Sequence, residues 1–343
     1  MSLPTFKLLR PHTVQEAVGH LTRYAGNIQI IAGGTDLIPS MRQRLFAPQY
    51  LLDVRGIEEL QHIRVIAGHG VEIGALTTLT AVEDSAYIHK NYPVLHEAVK
   101  TVASPILRNM GTLGGNICLD TRCVWYNQSL TWRKSCGFCI KKDGDLCHVA
   151  PGGKKCWAAF SADTPPALLC LNAEIEIAGP QGLRRMPLRE LYTGEGDARM
   201  KLASNELLTR VFLPEASAGW RGAYMKLRIR GSIDYPLAGV AVALKIANGA
   251  GGGLSPERPG VGRSGRIEDA RLAITAVNPA PYLVADADHA LAGKKVDEHA
   301  ATVVGELAVR VAKPLTTSAL TPEYRREMIR VFAKRAVMKA AEG

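Results

Sequence analysis

A chain of 343 residues, 47% apolar and 22% charged, is long enough for two or three cores and too apolar to be a disordered polymer. Its longest apolar run, Leu237–Leu244, falls far short of the roughly eighteen residues of a membrane span, so helical insertion is excluded. The net charge of +10 admits nucleic acid, acidic proteins or anionic cofactors as partners. Its Lys and Arg are dispersed, however, and no helix-turn-helix, finger or RNA-binding pattern accompanies them. The start, Met1-Ser2-Leu3-Pro4-Thr5-Phe6-Lys7, has no basic region followed by an apolar core, so a cytoplasmic location with reduced thiols is expected.

Thr13-x-x-Glu16 reads as a capping box opening a helix with Val14, Ala17, Val18 and Leu21 on its apolar side. A buried strand is expected at Ile28–Ala32, running into the turn Gly33-Gly34-Thr35-Asp36 and a second helix near Leu37. Such a turn brings backbone N–H groups and a hydroxyl close together, and glycine lets an anion such as a pyrophosphate approach. Alone it is a weak signal, because glycine pairs serve backbone geometry more often than ligands, and the G-x-G-x-x-G spacing of a Rossmann site is missing. Strands follow at Tyr50–Val54 and Val71–Ile73, then helices at Thr80–Tyr87 and Val94–Val102. A second glycine turn spans Arg108-Asn109-Met110-Gly111-Thr112-Leu113-Gly114-Gly115-Asn116.

Next comes a segment holding six of the seven cysteines and three of the four tryptophans. Cys118, Cys123, Cys136, Cys139, Cys147 and Cys156 are separated by four, twelve, two, seven and eight residues. Thiols at this density in a reducing compartment point to a soft metal. Cys136-x-x-Cys139 and His148 suit zinc, but a second tight pair is missing, so the spacing leaves zinc and an iron–sulfur cluster both open. Trp125, Tyr126, Trp132, Phe138 and Trp157 favour a cluster, which needs an apolar shield, although the same rings could simply pack a small insert. The segment carries seven Lys or Arg (Arg122, Arg133, Lys134, Lys141, Lys142, Lys154, Lys155) against three acids, a basic face suited to an acidic protein.

Beyond it, Ala167–Leu171 is an apolar segment and Ala173–Ala178, Leu207–Leu213, Ala223–Arg230 and Ile267–Val277 read as strands. Residues 248–266, rich in Gly and Pro, read as a flexible loop, and Asp297–Ala312 and Pro322–Ala340 as helices.

In order, Ile31-Ala32-Gly33-Gly34-Thr35-Asp36-Leu37, Ile73-Gly74-Ala75-Leu76-Thr77, the second glycine turn and the Tyr324-Arg325 helix resemble the FAD-binding subunits and domains of the molybdenum hydroxylase, or xanthine oxidase, family. The likeness covers nearly the whole chain and implies an α+β fold. That fold is a PCMH/vanillyl-alcohol-oxidase-type FAD-binding domain of two subdomains (1–117 and 161–216), followed by a C-terminal α+β domain of the CO dehydrogenase flavoprotein type (217–343). Residues 118–160 become an insertion. Cys118-Leu119-Asp120-Thr121-Arg122-Cys123, Tyr126-Asn127-Gln128-Ser129, Gly144-Asp145-Leu146-Cys147-His148 and Cys156 are similar to the 4-hydroxybenzoyl-CoA reductase β-subunit type, whose flavin domain carries an extra 4Fe–4S cluster.

That resemblance implies cluster ligands Cys123, Cys139, Cys147 and Cys156, with Cys136 spare and Cys118 and Cys170 buried. It implies an FAD pyrophosphate turn of Ile31, Ala32, Gly33, Gly34, Thr35, Asp36 and Leu37, with Thr112, Gly115 and Asn116 in the second turn. Asp163 would meet the ribityl side, while Leu208 and Lys226 would flank the isoalloxazine. Each of the last three also has a plainer reading: a helix cap, a core residue and a strand-edge lysine. The implied role is electron transfer in a heterohexamer with a molybdenum-cofactor catalytic subunit and a 2Fe–2S subunit, with ferredoxin as donor and substrate chemistry elsewhere. The alternatives are a flavin subunit serving another substrate, or a zinc-stabilised basic binding module.

Overall fold

The structure, a computed structural model, describes residues 2–247 and 266–342. The expected loop at 248–266 therefore lies outside the described residues except for Arg266, which bridges to Lys295. Three sheets organise the chain.

The first is parallel, with β1 (Lys7–Leu9) and β2 (Ile28–Ile31) flanking β3 (Tyr50–Asp53). Helix α1 (Val14–Arg23) makes the crossover, buries Ala17 and Leu21, and is capped by Thr13 Oγ1, which accepts from Glu16 N at 3.1 Å. Glu16 reaches back one residue further than a capping box, accepting from His12 N at 2.8 Å. Strand β2 runs straight into the first glycine turn and then α2 (Leu37–Arg42).

The second sheet is antiparallel, in the order β4 (Ile63–Ile66), β5 (Gly70–Gly74), β8 (Leu207–Pro214), β6 (Glu174–Gly179) and β7 (Gly182–Pro187). The helix expected at Thr80–Tyr87 is broken at Ser85 into α3 (Leu79–Asp84) and α4 (Ala86–Asn91), because Thr78 and Ser85 each cap a new start. Helix α5 (Pro93–Lys100) follows, then the short turns α6 (Pro105–Arg108) and α7 (Leu113–Ile117), which carry the second glycine turn. The insertion contains a single helix, α8 (Leu130–Ser135), and its neck closes on an antiparallel bridge between Arg122 and Ala159. The apolar segment after it is helical, α9 (Thr164–Cys170), with every residue buried.

The third sheet is an antiparallel meander of β9 (Arg221–Leu227), β10 (Ala238–Ile246), β11 (Ile267–Thr275) and β12 (Tyr282–Leu283), accompanied by α10 (Ala287–Leu291), α11 (Glu298–Val311) and α12 (Pro322–Glu342). The apolar run at Leu237–Leu244 is its central strand, buried on both faces. Val240, Val242 and Leu244 pack into the C-terminal core with Ile329, Phe332 and Val337. Ala241 and Ala243 face the other way and join the core containing Leu168 and Cys170. Small residues on one face and branched residues on the other let one strand serve two cores. Among the described residues no helix is long and apolar enough to cross a membrane.

Candidate functional site

Two glycine turns meet backbone to backbone. A Cβ on Gly33 would lie 1.9 Å from the carbonyl oxygen of Met110, so only glycine allows this contact, and Gly34 adopts φ +70°. Among the described residues, no protein group accepts from the N–H groups of Gly33, Gly34, Thr35, Asp36 or Leu37; the first bonds are Ile38 N to Gly34 O and Ser40 N to Asp36 O. Five adjacent donors without an acceptor, at the mouth of a β-turn-α unit, form a nest suited to a diphosphate. The residues present therefore fit the pyrophosphate of FAD.

The second turn is different. Leu113 N and Gly114 N donate to Thr77 O and Ala75 O, Asn116 N donates to Thr112 O, and Gly115 N donates to Thr112 Oγ1 at 3.1 Å. Asn116 Oδ1 accepts from Thr164 N at 3.1 Å and Thr164 Oγ1 at 2.7 Å. Most of its polar groups hold the fold, so this turn buttresses the first and ties it to the start of α9.

Asp163 sits at that start, 3% exposed. Its oxygens accept from Tyr224 Oη at 2.8 Å and Lys226 Nζ at 2.9 Å, and Lys226 also donates to Thr101 O at 2.8 Å. Burial pushes the carboxyl upward while the ammonium opposes it. Lys226 is thus a buried partner of Asp163, and Leu208 is a core residue on β8 opposite Ile177.

The cysteines converge on one cavity. Cys123, Cys139, Cys147 and Cys156 all line one small cavity, together with Trp125, Tyr126, Ile140, Val149 and Trp157. Cys136 lies outside that lining, at the C-terminal cap of α8; Cys118 caps α7; Cys170 is fully buried with its sulfur 3.5 Å from Ala241 O. Nearby His148 stacks on Trp125 at 4.5 Å, and its Nε2 is bonded to Phe138 O at 2.5 Å. Burial pushes the Cys123 thiol up to about 11 and the Cys156 thiol up to about 12, while the backbone N–H groups of Trp125, Tyr126 and Ala158 point at these sulfurs and oppose the rise. Among the described residues no three His, Cys, Asp or Glu side chains close on a point that would hold one metal ion. Four thiols around one aromatic-walled cavity fit the donor set of a soft-metal centre.

Charge around the cavity is not the simple basic face of the sequence. Lys141 is turned inward: its Nζ donates to Asp120 Oδ1 at 2.9 Å, Gly196 O at 2.8 Å and the Thr121 hydroxyl, over the Tyr126 ring. Arg133 is 2% exposed and donates to Arg44 O at 2.9 Å. Arg122 pairs with Asp36. Of the seven only Lys134, Lys154 and Lys155 are exposed, and Lys155 pairs with Glu195 at 2.8 Å.

Sequence reasoning passed over the loop at 193–200. Gly196 N donates to Cys156 O at 2.9 Å, and a Cβ there would meet Cys156 Sγ at 2.7 Å. Arg199 donates to Leu119 O at 3.1 Å and Cys118 O at 3.2 Å. The turn-forming run Gly194-Glu195-Gly196-Asp197 was the only signal available, and turns alone do not reveal what they touch.

Residues 4–216 match the FAD binding domain in molybdopterin dehydrogenase, and residues 222–340 the CO dehydrogenase flavoprotein C-terminal domain. The chain is 30% identical over 336 residues to the carbon monoxide dehydrogenase medium chain of Afipia carboxidovorans, covering 98% of this chain and 96% of that one. It is 28% identical over 243 residues to the nicotinate dehydrogenase FAD-subunit of Eubacterium barkeri, covering 70% and 69%. The fold is similar to a chain of the cyanide-inactivated Cu,Mo-CO dehydrogenase crystal structure, with a TM-score of 0.78, 29% identity and 99% of both chains covered.

Proposed function

This chain belongs to the FAD-binding subunits of the molybdenum hydroxylase family, and we propose that it carries a 4Fe–4S cluster as well and relays electrons between partner chains. The observation that carries the proposal is the meeting of four of the six clustered thiols on one aromatic-walled cavity. FAD supplies two-electron to one-electron conversion and a cluster supplies single-electron storage. The chain's own residues bind, orient and shield. Gly33 to Leu37 offer N–H donors to the diphosphate, Asp163 and Lys226 form a buried polar pair beside the second turn, and Trp125, Tyr126 and Trp157 keep water from the thiols.

Within the family, the cysteine segment supports a 4-hydroxybenzoyl-CoA reductase type of enzyme, reducing its thioester substrate to benzoyl-CoA in the cytoplasm. Such an enzyme would be a heterohexamer with a molybdenum catalytic subunit, a 2Fe–2S subunit and ferredoxin as donor. A second reading has a different substrate, because the relatives above are named for carbon monoxide and nicotinate. The exposed Lys134, Lys154 and Lys155, with half-buried Lys142, are the remaining candidates for an acidic ferredoxin. Reversing charge at Lys142, Lys154 and Lys155 is expected to weaken ferredoxin-dependent reduction and flatten its salt dependence.

Anaerobic quantitation on the purified chain tests the cofactor assignment: about four iron, four sulfide and one FAD are expected. One zinc with no iron would sink the cluster. Cys136→Ser is expected to keep the iron and Cys139→Ser to lose it; the reverse would show that the ligand set is wrong while the cluster stands.

A further inference from the structure

We propose that Arg122, a residue of the cysteine insertion, is a positioning residue of the flavin site: with Asp36 and Tyr235 it clamps the diphosphate turn, so that FAD retention depends on how the insertion is anchored. The inference rests on reading residues 31–37 as the diphosphate turn.

Three separate parts of the chain meet here. Asp36 comes from the turn, Arg122 from the neck of the insertion, and Tyr235 from the loop between β9 and β10. The Arg122 guanidinium pairs with Asp36 and donates to Tyr235 Oη at 2.5 Å, while lying over the Tyr235 ring at 4.3 Å. Tyr235 Oη in turn donates to Asp36 Oδ1 at 2.8 Å. The backbone of Arg122 is itself pinned, with its N donating to Ala159 O at 2.7 Å and its O accepting from Ala159 N at 2.8 Å. A guanidinium held from both sides in this way has little freedom to leave the turn.

Charge explains why a clamp is needed. A diphosphate brings negative charge to a turn that already carries the Asp36 carboxylate, and the N–H groups that would hold it are neutral dipoles. Among the described residues, Arg122 is the one cation ion-paired with residues 31–37. It neutralises Asp36 and fixes it against the insertion, which removes the repulsion an unpaired carboxylate would impose on the incoming anion. Its Nε is buried with no partner, so the guanidinium keeps one donor uncommitted beside the turn. Arg122 immediately precedes Cys123, so the diphosphate turn is anchored at the neck of the insertion.

The test uses the full chain stripped of FAD, titrated with FAD by quenching of flavin fluorescence, with iron counted and the thermal midpoint recorded for each variant. Arg122→Met is expected to raise the FAD dissociation constant by about tenfold or more, with iron content and midpoint of the FAD-free protein unchanged. Arg122→Lys should recover part of the loss, since the charge returns without the fork. Tyr235→Phe should weaken binding a few-fold. Gly33→Ala, which disrupts the turn itself, separates the two levels of the inference. If Gly33→Ala weakens FAD and Arg122→Met does not, the clamp is wrong and the turn stands. If Gly33→Ala leaves binding unchanged, the turn assignment fails. Should Arg122→Met not fold, Tyr235→Phe decides, and a parental dissociation constant in that variant overturns the clamp.

Discussion

Lys141 looks like surface charge in the sequence, flanked by Lys142 and an acidic turn, yet its side chain is 6% exposed. Burial lowers its ammonium and the adjacent Asp120 carboxylate opposes that shift, so the two charges exist in the interior only as a pair, with Arg199 Nη1 3.4 Å from the same carboxylate. Lys141→Met would leave Asp120 without its nearest cation and the Gly196 carbonyl with the Thr121 hydroxyl as its remaining donor. The expected cost is about 3–5 kcal/mol of stability, read as a lower unfolding midpoint, together with iron loss from the insertion. Removing both charges in Lys141→Met with Asp120→Asn should recover much of the stability, and a double-mutant cycle measures how much. Lys226 teaches the same lesson in the flavin domain. A lysine on a strand next to a predicted flavin site invites a direct role on the ring, and its Nζ donates to Asp163 and to the Thr101 carbonyl. Sequence can locate such a lysine, but what its charge faces depends on segments more than sixty residues away.

At the scale of the element, the insertion is a loop held together by what lies around it rather than by its own secondary structure, since α8 is its single helix. Left-handed residues at Gly137, Phe138 and Asp143 wind the chain tightly around Cys139, and a Cβ on Gly144 would meet Cys139 N at 2.8 Å. The loop carrying Gly196 closes the other side. Gly196→Ala forces a Cβ into Cys156 Sγ and Ala158 N, both at 2.7 Å, so a loss of about 1–3 kcal/mol is expected. Iron binding should fall while FAD binding stays, which metal and flavin quantitation on one sample will show. FAD loss together with the iron would mean instead that the two regions unfold as one. The spacing of six cysteines was legible as a metal-directed pattern, and its choice of four was not. Cys136-x-x-Cys139 is the tightest pair in the sequence, but Cys136 is the C-terminal cap of α8 and does not line the cavity that Cys139 lines. Spacing counts residues along the chain, whereas ligation depends on where the chain turns.

Across the whole molecule, strand β10 joins the flavin-type domain to the C-terminal domain, and a buried arginine ties the C-terminal domain together. Arg325 is fully buried and donates to Leu237 O at 2.8 Å, Leu315 O at 2.9 Å and Ala276 O at 2.6 Å, linking α12 to three separate segments. Burial with no carboxylate beside it lowers the guanidinium to about 10. Arg325→Met should cost about 2–4 kcal/mol, since the Leu237 and Ala276 carbonyls lose the guanidinium donor, and limited proteolysis should then release the α12 segment first. Unchanged protection of that segment would show that apolar packing alone holds it. The amino-acid sequence by itself determined the order of strands and helices, the two glycine turns and the family they resemble, and the density of thiols between them. Periodicity, caps and glycine are local, and they survive without knowledge of the fold. The resemblance named four thiols where spacing left six, and only the tertiary structure showed that those four share a cavity, that Lys141 and Lys226 face inward to carboxylates, and that Arg122 joins the insertion to the diphosphate turn. Each of these depends on contacts between residues distant in sequence, where burial and the nearest opposite charge, not residue type, fix what a side chain does.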